Sequence, residues 1–153
     1  MILSDTLTTM EADRRAPVFS EGRIAVAASP ERVWDILADL ESWPSWNADV
    51  DAVTLEGPVR PGTVFRWKAG SAKIVSTLRE VERPLRLSWT GRTMGVDAIH
   101  VWRFEPSGDG VTVSMQESFS GLVARLLRKR LQRDLDATTT KGLEALKAAA
   151  ERL

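Results

Sequence analysis

His100 is the only histidine of the chain, and Glu117 is the residue that a hairpin would set opposite it. The segment from Gly95 to Gly121, GVDAIHVWRFEPSGDGVTVSMQESFSG, reads as two strands joined through Ser107-Gly108-Asp109-Gly110. Glycine accepts the positive φ that tight hairpin loops demand. Folding the chain there predicts that Phe104 faces Val113, Trp102 faces Met115, His100 faces Glu117 and Ala98 faces Phe119. These residues share one face, while Arg103, Glu105, Thr112, Ser114, Gln116 and Ser118 share the other. A sheet with one face on a core alternates in this way. His100 and Glu117 are the ionisable exceptions on the apolar face. Direct cross-strand neighbours have Cβ atoms about 4.5–5.5 Å apart.

A carboxylate beside an imidazole orients it and raises its pKa, and burial opposes that shift. In an apolar pocket such a pair can act as general acid and base, taking a proton alpha to a carbonyl and returning one to a leaving hydroxyl. It can equally hold the hairpin register or hydrogen-bond the polar head of a ligand. A bulge in either strand would part the two residues. Phe65, Trp67, Trp89, Trp102, Met115 and Phe119 are expected on the same side, as the wall of a ligand chamber or as filled core. Ser76 adds a small polar wall group if its strand faces inward as Ile74, Ser76, Leu78. Arg92 is a candidate for the mouth of such a chamber. Gly142 interrupts a helical pattern at a cost of about 1 kcal/mol relative to alanine, making room for a ligand or for close packing on the sheet.

The elements that must position these residues follow from periodicity. Phe19 to Ala28 is the first strand. Ser29-Pro30-Glu31 is a helix start, with a serine N-cap, proline at the first helical position and an acid near the positive helix end. Pro44 interrupts the chain within Trp43-Pro44-Ser45-Trp46-Asn47 and begins a second short helix over 44–48. Strands are expected over Ala52 to Glu56, Thr63 to Ala69, Lys73 to Val81 and around Leu85, Leu87 and Trp89. Apolar residues stand on both faces of the third of these. Gly91 to Gly95 reads as a flexible connection into the hairpin. Beyond Gly121 the period becomes helical. Leu127, Leu131, Leu135, Thr138, Thr139, Gly142, Leu143, Leu146, Ala149, Ala150 and Leu153 mark one stripe of a long helix that begins within Leu122–Arg130. Arg125, Arg128, Lys129, Arg130 and Arg133 crowd its start, where they oppose the helix dipole. They form a solvated face or attract an acidic ligand or membrane surface.

Composition narrows the classes. The chain of 153 residues suits one domain, over 18–153, after an N-terminal extension over 1–17 that is either a disordered lead or a short capping helix. Cysteine is absent, so disulfides and thiolate metal sites are excluded, and one histidine argues against a zinc site. Lys+Arg and Asp+Glu are both 21, against the basic excess of a nucleic-acid binder. No apolar run approaches the roughly 20 residues of a membrane span, and the N-terminus lacks signal-peptide character. A cytoplasmic protein is expected, without stable membrane insertion, as a monomer or homodimer. No phosphate-cradling glycine loop and no nucleophile elbow occur. The pattern calls for no cofactor and no metal. Six tryptophans and no tyrosine suit large apolar walls.

The element order, together with Ser29-Pro30-Glu31-Arg32-Val33-Trp34, Trp43-Pro44-Ser45-Trp46, Gly62-Thr63-Val64-Phe65-Arg66-Trp67 and Glu117-Ser118-Phe119-Ser120-Gly121, resembles the START-like (SRPBCC) superfamily. Its bacterial polyketide cyclase/dehydrase-type members are the nearest in pattern. The resemblance covers about residues 18–153. It implies an α+β helix-grip fold: a curved seven-stranded antiparallel sheet around a long C-terminal helix, with two short helices between the first two strands. It also implies a deep apolar cavity between sheet and helix. Fold does not settle function. The expected function is binding of a hydrophobic or aromatic small molecule, lipid or polyketide-like. One alternative is a cyclase or dehydratase, for which aldol cyclisation and dehydration of a poly-ketone would run through His100 and Glu117. The other is a co-chaperone or membrane-associated lipid-handling protein.

Overall fold

The computed structural model describes residues 9–152. Strand β1 spans Val18–Val26. Helix α1 (Pro30–Ala38), a 3₁₀ turn (Leu40–Ser42) and helix α2 (Trp43–Trp46) follow. Then come β2 (Ala52–Leu55), β3 (Val64–Ala69), β4 (Ala72–Glu82), β5 (Arg86–Thr93), β6 (Val96–Ser107) and β7 (Gly110–Ser120). Helices α3 (Leu122–Leu126) and α4 (Arg128–Ala150) complete the described chain. The strands form one antiparallel sheet in the order β1-β7-β6-β5-β4-β3-β2. Helix α4 lies on its inner face and buries Leu135, Thr139, Gly142, Leu143, Leu146 and Ala150. This is the helix-grip architecture, with two short helices between β1 and β2. No helix among the described residues is long and apolar enough to cross a membrane.

Local chemistry accounts for most boundaries. The Ser29 hydroxyl accepts from Arg32 N–H (3.2 Å) and Pro30 opens α1, whose Val33, Trp34, Leu37 and Ala38 are buried. The Trp34 indole donates to Arg86 O (2.9 Å) and that of Trp43 to Leu37 O (2.8 Å), tying the short helices to the sheet and to each other. The β6–β7 turn is closed by Gly108 at φ 57°, and Phe104, Trp102, His100 and Ala98 pair with Val113, Met115, Glu117 and Phe119 as the sequence predicts.

Two features, the 91–95 segment and Leu85, depart from the sequence reading, and two others, a bulge in β4 and a break before α4, were not visible in it. The 91–95 segment is no flexible connection: β5 runs on to Thr93, and only Met94 and Gly95, at φ 41° and 76°, form the turn into β6. Two positive φ values in a two-residue loop match the twist of the flanking strands. In β4 the register shifts between Leu78 and Glu80. Ile74, Ser76 and Leu78 face inward before the bulge, and Val81 packs on the core after it, so apolar residues occur at both parities. The Glu80 N–H freed there donates to Ser88 Oγ (3.1 Å). Leu85 stands outside the alternation, 48% exposed, in the turn before β5. The C-terminal helix is broken at Leu127 (φ −108°, ψ 26°), which separates α3 from α4. Within the expected stripe Thr138 is exposed, and Leu153 lies outside the described residues.

Residues 9–17 form no helix and cross the outer face of the sheet. Asp13 N–H donates to Ser118 Oγ (3.0 Å), Arg103 donates to Met10 O (3.0 Å), and Arg14 grips Glu21 with both guanidinium nitrogens (2.9 and 2.8 Å). Ala12 of this crossing and Ser118 beneath it are buried. Residues 1–8 of the expected extension lie outside the described residues.

Candidate ligand cavity and its buried polar pair

Sheet register builds the site row by row. Phe119 pairs with Ala98, Ala98 with Gly91, and Gly91 with Ser76. All four stand at inward positions, and three of them are small. A Cβ on Gly91 would lie 2.8 Å from Ser76 Oγ, so the strands there have no room for a side chain without a shift. The missing bulk leaves a cavity of about 280 Å³ between sheet and helices. Trp67, Ile74 and Trp89 wall it on the sheet side, and Val123 of α3, Leu127 at the break and Leu131 of α4 roof it.

The next row inward is Ser20, Glu117, His100, Trp89 and Leu78, again in register across β1, β7, β6, β5 and β4. Glu117 lines the cavity, and His100 sits behind it. The imidazole lies between the rings of Trp89 (centroids 4.4 Å apart) and Trp102 (5.6 Å, interplanar angle 13°). Its Nδ1 is 3.2 Å from Glu117 Oε2. The contact misses hydrogen-bond geometry, and both ring nitrogens are buried without a partner.

Burial decides the protonation of this pair. Loss of hydration pushes the His100 pKa down to about 3 and that of Glu117 up to about 8. The mutual attraction that would favour imidazolium and carboxylate does not offset the cost of placing both charges among indole rings. At neutral pH both groups are uncharged, Glu117 as a carboxylic acid and His100 as a neutral imidazole. Glu117 therefore lines the cavity as an uncharged carboxylic acid. The other polar groups there are the Thr93 hydroxyl, which is buried without a partner, and the Ser76 hydroxyl, which accepts from Trp67 Nε1 (3.0 Å).

The residues singled out from sequence divide into groups. Trp67, Ser76, Trp89, Glu117 and Phe119 line the cavity. Arg92 lies at its rim, but its guanidinium is exposed on the outer face and pairs with Asp97 (2.9 Å), because even positions of β5 point away from the helix. Phe65, Trp102 and Met115 share the inward face but belong to the packed core; Phe65 and Trp89 gather round Trp43 with centroid separations of 5.8 and 5.3 Å. Gly142 is buried in α4 and is not part of the cavity wall. A Cβ there would meet nothing within 4 Å, whereas one on Gly22 would lie 2.9 Å from Leu143 Cδ1. Close packing of helix on sheet is thus served by the strand glycine, not by the helix glycine. Sequence reasoning passed over Gly91 and Ala98. Their signal was present as small residues two positions from Trp89 and His100, at the same inward parity.

A sheet gripping a C-terminal helix, with an apolar cavity between them, defines a START-like protein of the SRPBCC superfamily. A model of the family described as polyketide cyclase / dehydrase and lipid transport matches residues 19–151, and the chain belongs to that family. No functionally curated protein matches the chain. Among solved structures, a hypothetical protein from Helicobacter pylori superposes with a TM-score of 0.79 at 20% identity, covering 94% of this chain and 99% of that one. The Zhui aromatase/cyclase from a Streptomyces species superposes at 0.78 and 17% identity, over 88% and 93% of the two chains. A START superfamily protein from Mycobacterium smegmatis gives 0.76 and 14% identity, over 87% and 97%. At these identities the likeness is one of fold.

Proposed function

We propose that this protein binds a hydrophobic or aromatic small molecule, lipid or polyketide-like, in the cavity between the sheet and α3–α4, as a cytoplasmic carrier or sensor. The observation that carries the reading is an apolar cavity of about 280 Å³ whose one inward-facing ionisable lining side chain is Glu117. That volume is near the lower end of the ~300–1,000 Å³ of small-molecule sites, and apolar walls with a few polar groups are their usual make-up. A protonated Glu117 donates to a carbonyl or hydroxyl oxygen, so the site favours a neutral ligand with an acceptor at that end. Native mass spectrometry of protein purified from its own host tests this: a co-purified apolar molecule is expected. Protein that emerges empty, and that no lipid, sterol, flavonoid or polyketide stabilises in thermal-shift screens, overturns it.

A second reading, cyclisation or dehydration of a polyketide-like substrate, is favoured by the 3.2 Å contact of His100 with Glu117. Glu117 is then the group that exchanges a proton with the substrate, and His100, behind it and outside the cavity lining, is a positioning residue that holds the carboxyl in place. In this reading Glu117→Gln abolishes turnover of an aromatic poly-ketone while leaving its binding. His100→Ala slows turnover in a well-folded protein. Turnover unchanged in both variants excludes the catalytic role.

A further inference from the structure

We propose that the α3–α4 shoulder docks this protein on an anionic lipid bilayer, with the cavity mouth turned toward the lipid. Leu122 and Leu126 of α3 are 71% and 73% exposed, and Met94 of the adjoining β5–β6 turn is 73% exposed. Gly95 joins turn to helix: a Cβ there would lie 2.7 Å from Val123 Cγ2, so Met94 is held beside α3. Isolated exposed apolar residues are ordinary, but three large ones on adjoining elements, with Met94 also lining the cavity, are a patch.

The same shoulder concentrates charge. From Leu122 to Arg133 the chain has five cations, Arg125, Arg128, Lys129, Arg130 and Arg133, and no anion, although the whole chain is neutral. All five are exposed. Among the described residues none has a carboxylate within ion-pair distance, whereas Arg14, Arg66, Arg83 and Arg92 are each paired. Local folding does not require the three at the start of α4. Arg128, Lys129 and Arg130 stand in its first turn, where cations oppose the dipole, and Leu127 supplies no side-chain cap there. An anionic surface satisfies both halves of the patch, and apolar insertion and basic attraction are each too weak alone to hold a protein on a membrane. A fluid layer receives projecting leucines at any spacing, whereas a protein partner would need a matching pocket for each.

The patch is continuous with the cavity. Val123 of α3, Leu127 at the break and Leu131 of α4 roof it, and Met94 lines it. Docking would therefore set the opening at the acyl boundary, a route by which an apolar ligand passes without crossing water. The docking stands on the surface alone; this orientation rests on the cavity reading above.

Co-sedimentation of the full chain with vesicles tests the proposal. Binding is expected to phosphatidylcholine vesicles that contain phosphatidylserine, and not to phosphatidylcholine alone. It should fall steeply as salt shortens the Debye length from about 10 Å to about 3 Å. Arg128→Ala and Lys129→Ala should each weaken binding roughly fivefold. Leu126→Asp should abolish it with the melting temperature unchanged, since the side chain is exposed. No binding to the serine-lipid vesicles, equal binding to both kinds, or insensitivity to these variants overturns docking. Binding to an acidic protein such as polyglutamate without binding to vesicles assigns the patch to a protein partner and equally overturns it. Titration with an apolar naphthalene dye separates the two readings: vesicle binding without dye binding sinks the cavity, and dye binding without vesicle binding sinks the docking.

Discussion

Burial among Trp89 and Trp102 holds His100 and Glu117 as an uncharged pair at neutral pH. This has a consequence for stability. Glu117 binds its proton more tightly in the native state, about 8 against 4.5, so it makes stability fall as pH rises through that window. His100 binds its proton less tightly, about 3 against 6.5, so it makes stability rise with pH through that one. Between 4.5 and 6.5 the two cancel. A plateau is expected there, with a loss of up to about 1.4 kcal/mol per pH unit on the alkaline side until Glu117 ionises. Urea midpoints across pH measure the limbs, and Glu117→Gln should flatten the alkaline limb and turn the plateau into a continued rise up to about pH 6.5, where His100 then acts alone. Persistence of that limb would show that another group causes it. Gly142 offers a second test at this scale. Alanine there adds a methyl group where nothing lies within 4 Å and restores helix propensity, so Gly142→Ala should stabilise by about 1 kcal/mol in urea unfolding.

At the scale of elements, the cavity exists because β4, β5 and β6 place Ser76, Gly91 and Ala98 side by side under the roof of α3 and α4. Filling that row from one strand should close it. Ala98→Leu is expected to lower the affinity for an apolar dye roughly tenfold or more by occupying the apolar volume the dye would bury. The protein should still melt cooperatively, and undiminished dye binding would place the ligand elsewhere. Helix α1 depends on its cap: Ser29→Ala removes the acceptor of Arg32 N–H and should cost about 1 kcal/mol. The hairpin was legible because its period of two and its glycine turn are local signals. Strand β5 beyond Trp89 was not. Gly91, Thr93 and Gly95 look like a loop until Arg92 is seen to pair with Val75 on one side and Asp97 on the other. The break at Leu127 was equally hidden, since leucine, arginine and lysine are all good helix formers.

The whole molecule is a sheet covered on both faces: α4 on the inner one, and the segment before β1 across part of the outer one. That segment is polar, with no apolar stripe to announce its docking, and its bonds reach more than ninety positions along the chain, to Arg103 and Ser118. Deleting the residues before Pro17 strips Ser118 of its donor and Glu21 of its arginine. It should lower stability by roughly 1–3 kcal/mol, at about 1 kcal/mol for each ordinary hydrogen bond lost. Calorimetry would read this as a lower melting temperature, and an unchanged one would show that the crossing contributes nothing.

What the residues determined by themselves is whatever repeats locally: strand alternation, the cap of α1, the hairpin register that faces His100 with Glu117, and the stripe of α4. Tertiary structure alone decided which inward positions are filled and which are empty. It also decided which of His100 and Glu117 reaches the cavity, and the sign of each pKa shift. These are sums over atoms drawn from five strands and two helices, and no window of the sequence contains them. An alternating apolar face looks the same from sequence whether it walls a cavity or fills a core. The difference lies in three small side chains that only sheet register sets next to one another.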